Sequence, residues 1–228
     1  PWTLPSNVAL CVNEKEEYSR FTFNGDTLIM ASELIPSLFS EADRGEMQVL
    51  GRFPGSKLLG TEYIPLWPLV KPIEKAFYVV GDSYVTLTDG TGIVHIAPAF
   101  GEDDARIGRE NNLPFVQLVD PQGSFVRDTP WAGVYIKDAD PLILEDLRSR
   151  GLLQKKALYT HNYPHCWRCD TPLMYFARST WFIRMTEVRD SLTENNRSIS
   201  WYPENIRDGR MGNFVENVLD WALSRERY

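Results

Sequence analysis

The stretch "GTGIVHIAPAFGEDD", residues 90–104, decides how the rest of the chain is read. Its first half, "TGIVHIA", is a short run of β-branched and apolar residues, the pattern of a buried strand. Pro98 is a natural stop. Beyond it, "EDDARIGREN" opens with three acids, which suit the positive end of a helix dipole. A strand, a proline–glycine turn and a helix would bring His95 and Asp104 to one end of a sheet. Two readings of that pair stand side by side. In one, His95 is a core histidine and the acids only cap a helix. In the other, both side chains face one small ligand. The carboxylate then accepts charge-assisted hydrogen bonds from an ammonium, and the imidazole walls the pocket, donates a hydrogen bond or orients water. The turn Gly90–Thr91–Gly92 would let backbone approach such a ligand closely.

Outward from this stretch, "VALCV" (8–12) and "YSRFTF" (18–23) predict a hairpin. Apolar spacing over 26–42 predicts a helix ended or kinked at Pro36. "EMQVLGRF", "TEYIPLW", "AFYVVGDSYVTL", "FVQLVD" and "GVYIKDAD" read as further strands, and 141–151 as a helix with Pro at its start and Gly at its end. Many short strands with few helices predict an α+β fold: a β-rich, barrel-like domain with peripheral helices rather than βαβ repeats. Near residues 155–170 the chain turns aromatic and basic, and 187–228 reads as helices. The expected organisation is one domain over 1–165 and a mixed C-terminal connector over 166–228.

The 228 residues are 43% hydrophobic and 24% charged, as in an ordinary soluble protein. No apolar run approaches the roughly 20 residues that span a bilayer, so no membrane partner is expected. Three cysteines make no disulfide framework and suit a reducing cytoplasm. The net charge of −7 argues against a broad nucleic-acid surface and leaves a local basic patch or a single-stranded end. Pro1-Trp2-Thr3 and "DWALSRERY" both read as cut ends, so the chain is expected to be an internal piece of a larger protein.

Two more constellations carry chemistry. Cys166 and Cys169 form a C-x-x-C pair near His161 and His165. Zinc takes four ligands in a tetrahedron, and the pair supplies two, so it reads as half a zinc site. Lys155, Lys156, Tyr159, Tyr163, Trp167, Arg168, Tyr175, Arg178, Trp181 and Arg184 form an aromatic and basic band. It is either a grip on a single-stranded nucleic-acid end or a core stripe with a charged edge. With no G-x-S-x-G, P-loop or activated cysteine, water is the expected attacker in any reaction.

"PWTLPSNVALCV" (1–12), "GTGIVHIAPAFGEDD" (90–104), "YPHCWRCDTPL" (163–173) and "WYPENIRDGRMGNFVENVLDWALSRERY" (201–228) together resemble the isoleucyl-tRNA synthetases over the length of the chain. The resemblance implies the editing domain inserted in the class I catalytic fold as a connective peptide. It implies hydrolysis, by water, of valine esterified to tRNA(Ile), and of valyl-adenylate as a further substrate. Isoleucine against valine is the standing example of a discrimination that needs a second sieve. By resemblance Asp104 holds the substrate ammonium, His95 limits side-chain length, and Thr3 and Asn7 position water and the terminal ribose. Catalysis thus falls to Asp104, His95 and Thr3, and substrate binding to Trp2, Thr3, Asn7, Thr91, Gly92, His95, Asp104 and Tyr163. The implied partners are the tRNA(Ile) 3′ end and the remainder of the synthetase. Editing needs no cofactor, zinc belongs to Cys166 and Cys169, and ATP and magnesium to the parent catalytic domain. Phe100 stands where many bacterial relatives carry a second histidine. The alternatives are a valyl- or leucyl-tRNA synthetase editing domain, or a non-catalytic tRNA-docking connector.

Overall fold

A computed structural model of the chain describes residues 1–69, 75–157 and 162–223. By contacts the chain divides into two compact units, Pro1–Ala177 and Arg178–Tyr228, and the Cys166–Cys169 loop falls in the first. The first unit runs β1 (Ala9–Val12), β2 (Glu17–Phe23), β3 (Asp26–Ala31), α1 (Ile35–Leu38), α2 (Glu41–Glu46), β4 (Gln48–Pro54), β5 (Tyr78–Gly81), β6 (Ile93–Ile96), α3 (Glu102–Glu110) and α4 (Ile136–Ser149). The second runs β7 (Phe182–Ile183), α5 (Arg189–Ser198), α6 (Asn205–Asp208), α7 (Arg210–Glu216) and β8 (Trp221–Ala222). Mixed α and β structure is therefore observed.

Two three-stranded sheets organise the first unit, in the orders β5-β1-β6 and β3-β2-β4. β1 lies parallel to β5 and antiparallel to β6, so that Leu10 sits between Val79 and His95. Both edges of β1 are thereby occupied, and the expected β1–β2 hairpin does not form. β2 pairs instead with β3 and β4. Among the described residues the two sheets share no strand and do not close into a barrel.

The helix expected over 26–42 is a correction as well. Its first third is β3, because Asn24 and Gly25 take φ of 49° and 87°. That is the left-handed pair of a two-residue hairpin turn, which returns the chain antiparallel to β2. Pairing Phe21 with Leu28 then outweighs the helical spacing. The helix expected from 141 begins earlier, at Ile136, and carries Pro141 inside it. Ile136, Ala139, Ile143 and Leu147 line its buried face, packed with Trp67, Phe125 and Trp131. Each large side chain so buried stabilises the fold by about 1.5–3 kcal/mol.

Tyr18 ties the second sheet to the turn before β6. Its buried hydroxyl donates to Gly92 O at 2.6 Å and accepts the Asn13 N–H at 3.0 Å. Gly92 has φ +71°, and a Cβ there would meet the Ala31 Cβ at 2.5 Å, so only glycine fits the turn. Tyr18→Phe removes the partner of the buried Gly92 carbonyl and of the Asn13 N–H, and is expected to lower stability by ~1–3 kcal/mol. Urea unfolding measures this; an unchanged midpoint would contradict it.

Candidate active site

Chain-distant elements meet at the end of β6. Val8 N–H donates to Ile96 O, extending the β1–β6 ladder by one residue. The preceding residues turn through a short 3₁₀ segment, Leu4–Ser6, with Thr3 at its N-cap. The Thr3 hydroxyl caps no backbone N–H there. It lies instead 3.2 Å from His95 Nε2. The other ring nitrogen, Nδ1, is shut from solvent and without a hydrogen-bond partner. Burial pushes the His95 pKa down to about 4, so the imidazole is neutral at pH 7.

Asp104 reaches the same strand end from α3. Of the three acids in the first turn, Glu102 and Asp103 are exposed and Asp104 is turned inward. Its Oδ2 accepts the Ala97 N–H at 2.9 Å. A Cβ at Gly101 would lie 3.0 Å from the Asp104 Cγ, so glycine at this N-cap makes room for the carboxylate. Desolvation raises the Asp104 pKa, opposed by the Ala97 N–H. His95 and Asp104 hydrogen-bond to different partners and are joined through the backbone of residues 95–97. The arrangement offers a half-buried anion and a neutral imidazole beside a hydroxyl.

Asn7 is fixed by two contacts. Its Nδ2 donates to Ala9 O at 2.6 Å, and Tyr63 OH donates to its Oδ1. Tyr63 packs edge-on against Phe77 at 6.0 Å, and its hydrogen bond to Asn7, 56 residues away in the chain, leaves no trace in sequence spacing. Trp2 is pinned by donation from its N–H to Asp140 Oδ1 at 2.9 Å and by an edge-on contact of 4.9 Å with Phe100. Phe100 is buried core. Thr91 and Gly92 stand at the opposite end of β6. The Thr91 hydroxyl bonds to the backbone of Ile93, and the residue lines an apolar groove of about 640 Å³ with Phe23, Leu28 and Leu153. Tyr163 sits against α4, with Lys137 Nζ 5.0 Å from its ring and His165 beside it.

The family model for class I tRNA synthetases (I, L, M and V) matches residues 1–228. The chain belongs to the class I tRNA synthetases. It is 54% identical to the isoleucine–tRNA ligase of Clostridium acetobutylicum, 53% to that of Clostridium novyi and 45% to that of Thermus thermophilus, each over 100% of this chain. It spans about a fifth of their length, 22%, 22% and 21%. The crystal structure of GlLeuRS-CP1 is similar over 71% of this chain and 81% of that one, with a TM-score of 0.57 at 15% identity. This class I chain therefore has the fold of a synthetase connective-peptide domain.

In this synthetase chain the cysteine pair sits on a tight knuckle. Asp170 N–H donates to Cys166 O, Cys166 N–H to Thr171 O, and Asp170 takes φ +56°. The Cys169 thiol is 3.2 Å from Thr171 Oγ1. That hydroxyl first, and the neighbouring Cys166 thiol further, hold its pKa below the usual thiol range. His165 Nδ1 lies 2.9 Å from the Tyr163 carbonyl oxygen. His161 and Tyr159 lie outside the described residues. Among the described residues no group of three or more His, Cys, Asp or Glu side chains could hold a metal. The pair's donor set thus suits two of zinc's four positions. In the aromatic and basic band, Trp167 and Trp181 are 84% and 80% exposed and lie outside the packed core of the described residues. Arg168 lies over the Trp167 ring at 5.0 Å. Among the described residues no helix is long and apolar enough to cross a membrane.

The His95 shift makes a pH prediction. The folded pKa of about 4 lies below the ordinary 6.5, so the unfolded chain binds the extra proton first. The stability that neutral His95 contributes is present above pH 6.5 and is lost as pH falls from there toward 4. His95→Gln is expected to flatten that loss, measured as the difference in Tm between pH 7 and pH 5 in variant and parent.

Proposed function

We propose that this chain is the editing domain of an isoleucyl-tRNA synthetase, clearing valine wrongly esterified to tRNA(Ile). The observation that carries this reading is the convergence of Asp104, Thr3 and His95 on the end of one strand, in a chain of this family. The terminal adenosine with its amino acid enters as a single-stranded end, which is compatible with the net charge of −7. Its tRNA and the remainder of the synthetase are the partners, and the cytoplasm is the compartment.

Asp104 accepts hydrogen bonds from the substrate ammonium, a charge-assisted contact made strong by half-burial. His95 stays neutral, so no second cation competes with that ammonium, and its ring ends the space for the alkyl chain. Thr3 and Asn7 position the attacking water and the ribose. Water oxygen bonds to the ester carbonyl carbon, the bond from that carbon to the ribose oxygen breaks, and the water's proton ends on the ribose hydroxyl. Valine and the intact tRNA leave. The same attack on the acyl–phosphate bond of valyl-adenylate releases valine and AMP. Cys166 and Cys169 would hold half of a zinc site, where the metal supplies a cross-link.

Deacylation of valyl- and isoleucyl-tRNA(Ile) tests the reading. The parent is expected to cleave the valyl ester and spare the isoleucyl ester; equal rates would defeat the size limit. Because one methylene is worth about 1–3 kcal/mol in an apolar pocket, His95→Ala should cost roughly tenfold or more of that selectivity. Asp104→Asn should lower valyl-tRNA hydrolysis by about two orders of magnitude. A carboxyl whose folded pKa is raised is destabilising above that pKa, so the same variant should hold or raise Tm at pH 7. A lost fold in Asp104→Asn would make Asp104 structural instead.

A further inference from the structure

The 3₁₀ segment Leu4–Ser6 is anchored at both ends by side chains from distant parts of the chain. Thr3 at its N-cap meets His95, 92 residues away. Asn7 at its C-cap meets Tyr63, 56 residues away. The second anchor is itself held by a relay of backbone hydrogen bonds. Tyr63 N–H donates to Phe77 O at 2.9 Å, Phe77 N–H to Val8 O at 2.7 Å, and Val8 N–H to Ile96 O at 2.9 Å. The segment carrying Tyr63 is thereby tied to the ladder that carries His95. Phe77 takes φ +62°, a costly conformation for a bulky residue. Its two backbone hydrogen bonds and the edge-on contact with the Tyr63 ring impose it.

The orientation of the Asn7 amide follows from its partners. Ala9 O can only accept, so Nδ2 faces it, at 2.6 Å; Oδ1 therefore faces the phenol, which donates. Burial pushes the Tyr63 pKa up, so the hydroxyl keeps its proton. Among the described residues each end of the amide is used once, which leaves one N–H on Nδ2 and one lone pair on Oδ1. A donor and an acceptor offered from one fixed plane suit a hydroxyl or a water, which takes both roles. We propose that Tyr63 is a positioning residue: by donating to Oδ1 it fixes the plane of the Asn7 amide, so that the remaining N–H and lone pair meet the terminal ribose hydroxyl and the attacking water. This deepens the editing function proposed above and rests on it for the groups that Asn7 meets. Donation into the amide oxygen also polarises the amide and strengthens its N–H as a donor. Without the phenol, Ala9 O is the one tether left among the described residues, and the amide can swing about it.

Two measurements on the full chain test this. Side-chain ¹⁵N relaxation of Asn7, assigned by loss of the signal in Asn7→Ala, reads the amide directly. The order parameter is expected to be about 0.8 in the parent and to fall below about 0.6 in Tyr63→Phe, which keeps the ring and removes the donor. An amide that stays equally rigid in the variant overturns the proposal. Should Tyr63→Phe lose the fold, the parent decides: a mobile Asn7 amide overturns the proposal and a rigid one supports it. Deacylation of valyl-tRNA(Ile) reads the consequence. Tyr63→Phe should lower kcat about tenfold, what one hydrogen bond is worth to a transition state, with KM little changed. Tyr78→Phe is the control, because it removes a phenol that donates to Asn111 O at 3.0 Å, and it should leave kcat unchanged. In an Asn7→Ala background Tyr63→Phe should cost nothing further, because its action runs through Asn7. Additive losses overturn the proposal and make Tyr63 a structural residue. A chain that hydrolyses no ester, while Tyr63→Phe still loosens the Asn7 amide, defeats the editing function and leaves the positioning of Asn7 by Tyr63 standing.

Discussion

The site depends on one constraint: β1 is the central strand of its sheet, held parallel to β5 on one side and antiparallel to β6 on the other. That pairing joins residues separated by most of a domain's length. It sets Leu10 opposite His95, and the ladder's extension at Val8 lets the 3₁₀ turn fold Thr3 onto the imidazole. A one-residue slip of β6 would reverse the faces of its side chains and turn His95 away. The register is held at both ends. Tyr18 and Gly92 grip the start of β6, and the Ala97–Asp104 bond grips its finish.

The same end of the strand is where the fold accepts unfavourable burial. His95 is kept neutral at neutral pH with Nδ1 unpaired, and desolvation raises the pKa of Asp104. Elsewhere the first unit behaves as an ordinary packed core, with Ile136, Ala139, Ile143 and Leu147 of α4 against Trp67 and Trp131. A neutral buried imidazole and a desolvated carboxylate at one strand end are what motivate the binding role proposed above.

Local signals were legible where local physics decides. β6 and α3 lie where "TGIVHIA" and "EDDARIGREN" put them, since a proline stop and an acidic first turn act within a few residues. The Asn24–Gly25 turn was equally local, yet helical spacing over 26–42 masked it; β3 forms because β2 is there to pair with. Strands expected at "TEYIPLW" and "FVQLVD" appear as isolated bridges, Glu62 with Tyr78 and Val119 with Phe125.

From sequence alone come the α and β content, the family, and the strand–turn–helix that carries His95 and Asp104, because contiguous residues encode each of them. Tertiary structure alone decided which strands are neighbours, that two small sheets stand where a barrel was expected, and that Thr91 and Tyr163 sit away from the end of β6 where Thr3 meets His95. It also brought in Tyr63, whose hydroxyl donates to Asn7, far off in the chain. The physical reason is that hydrogen bonds and burial between distant segments depend on register and packing, which no short-range pattern encodes.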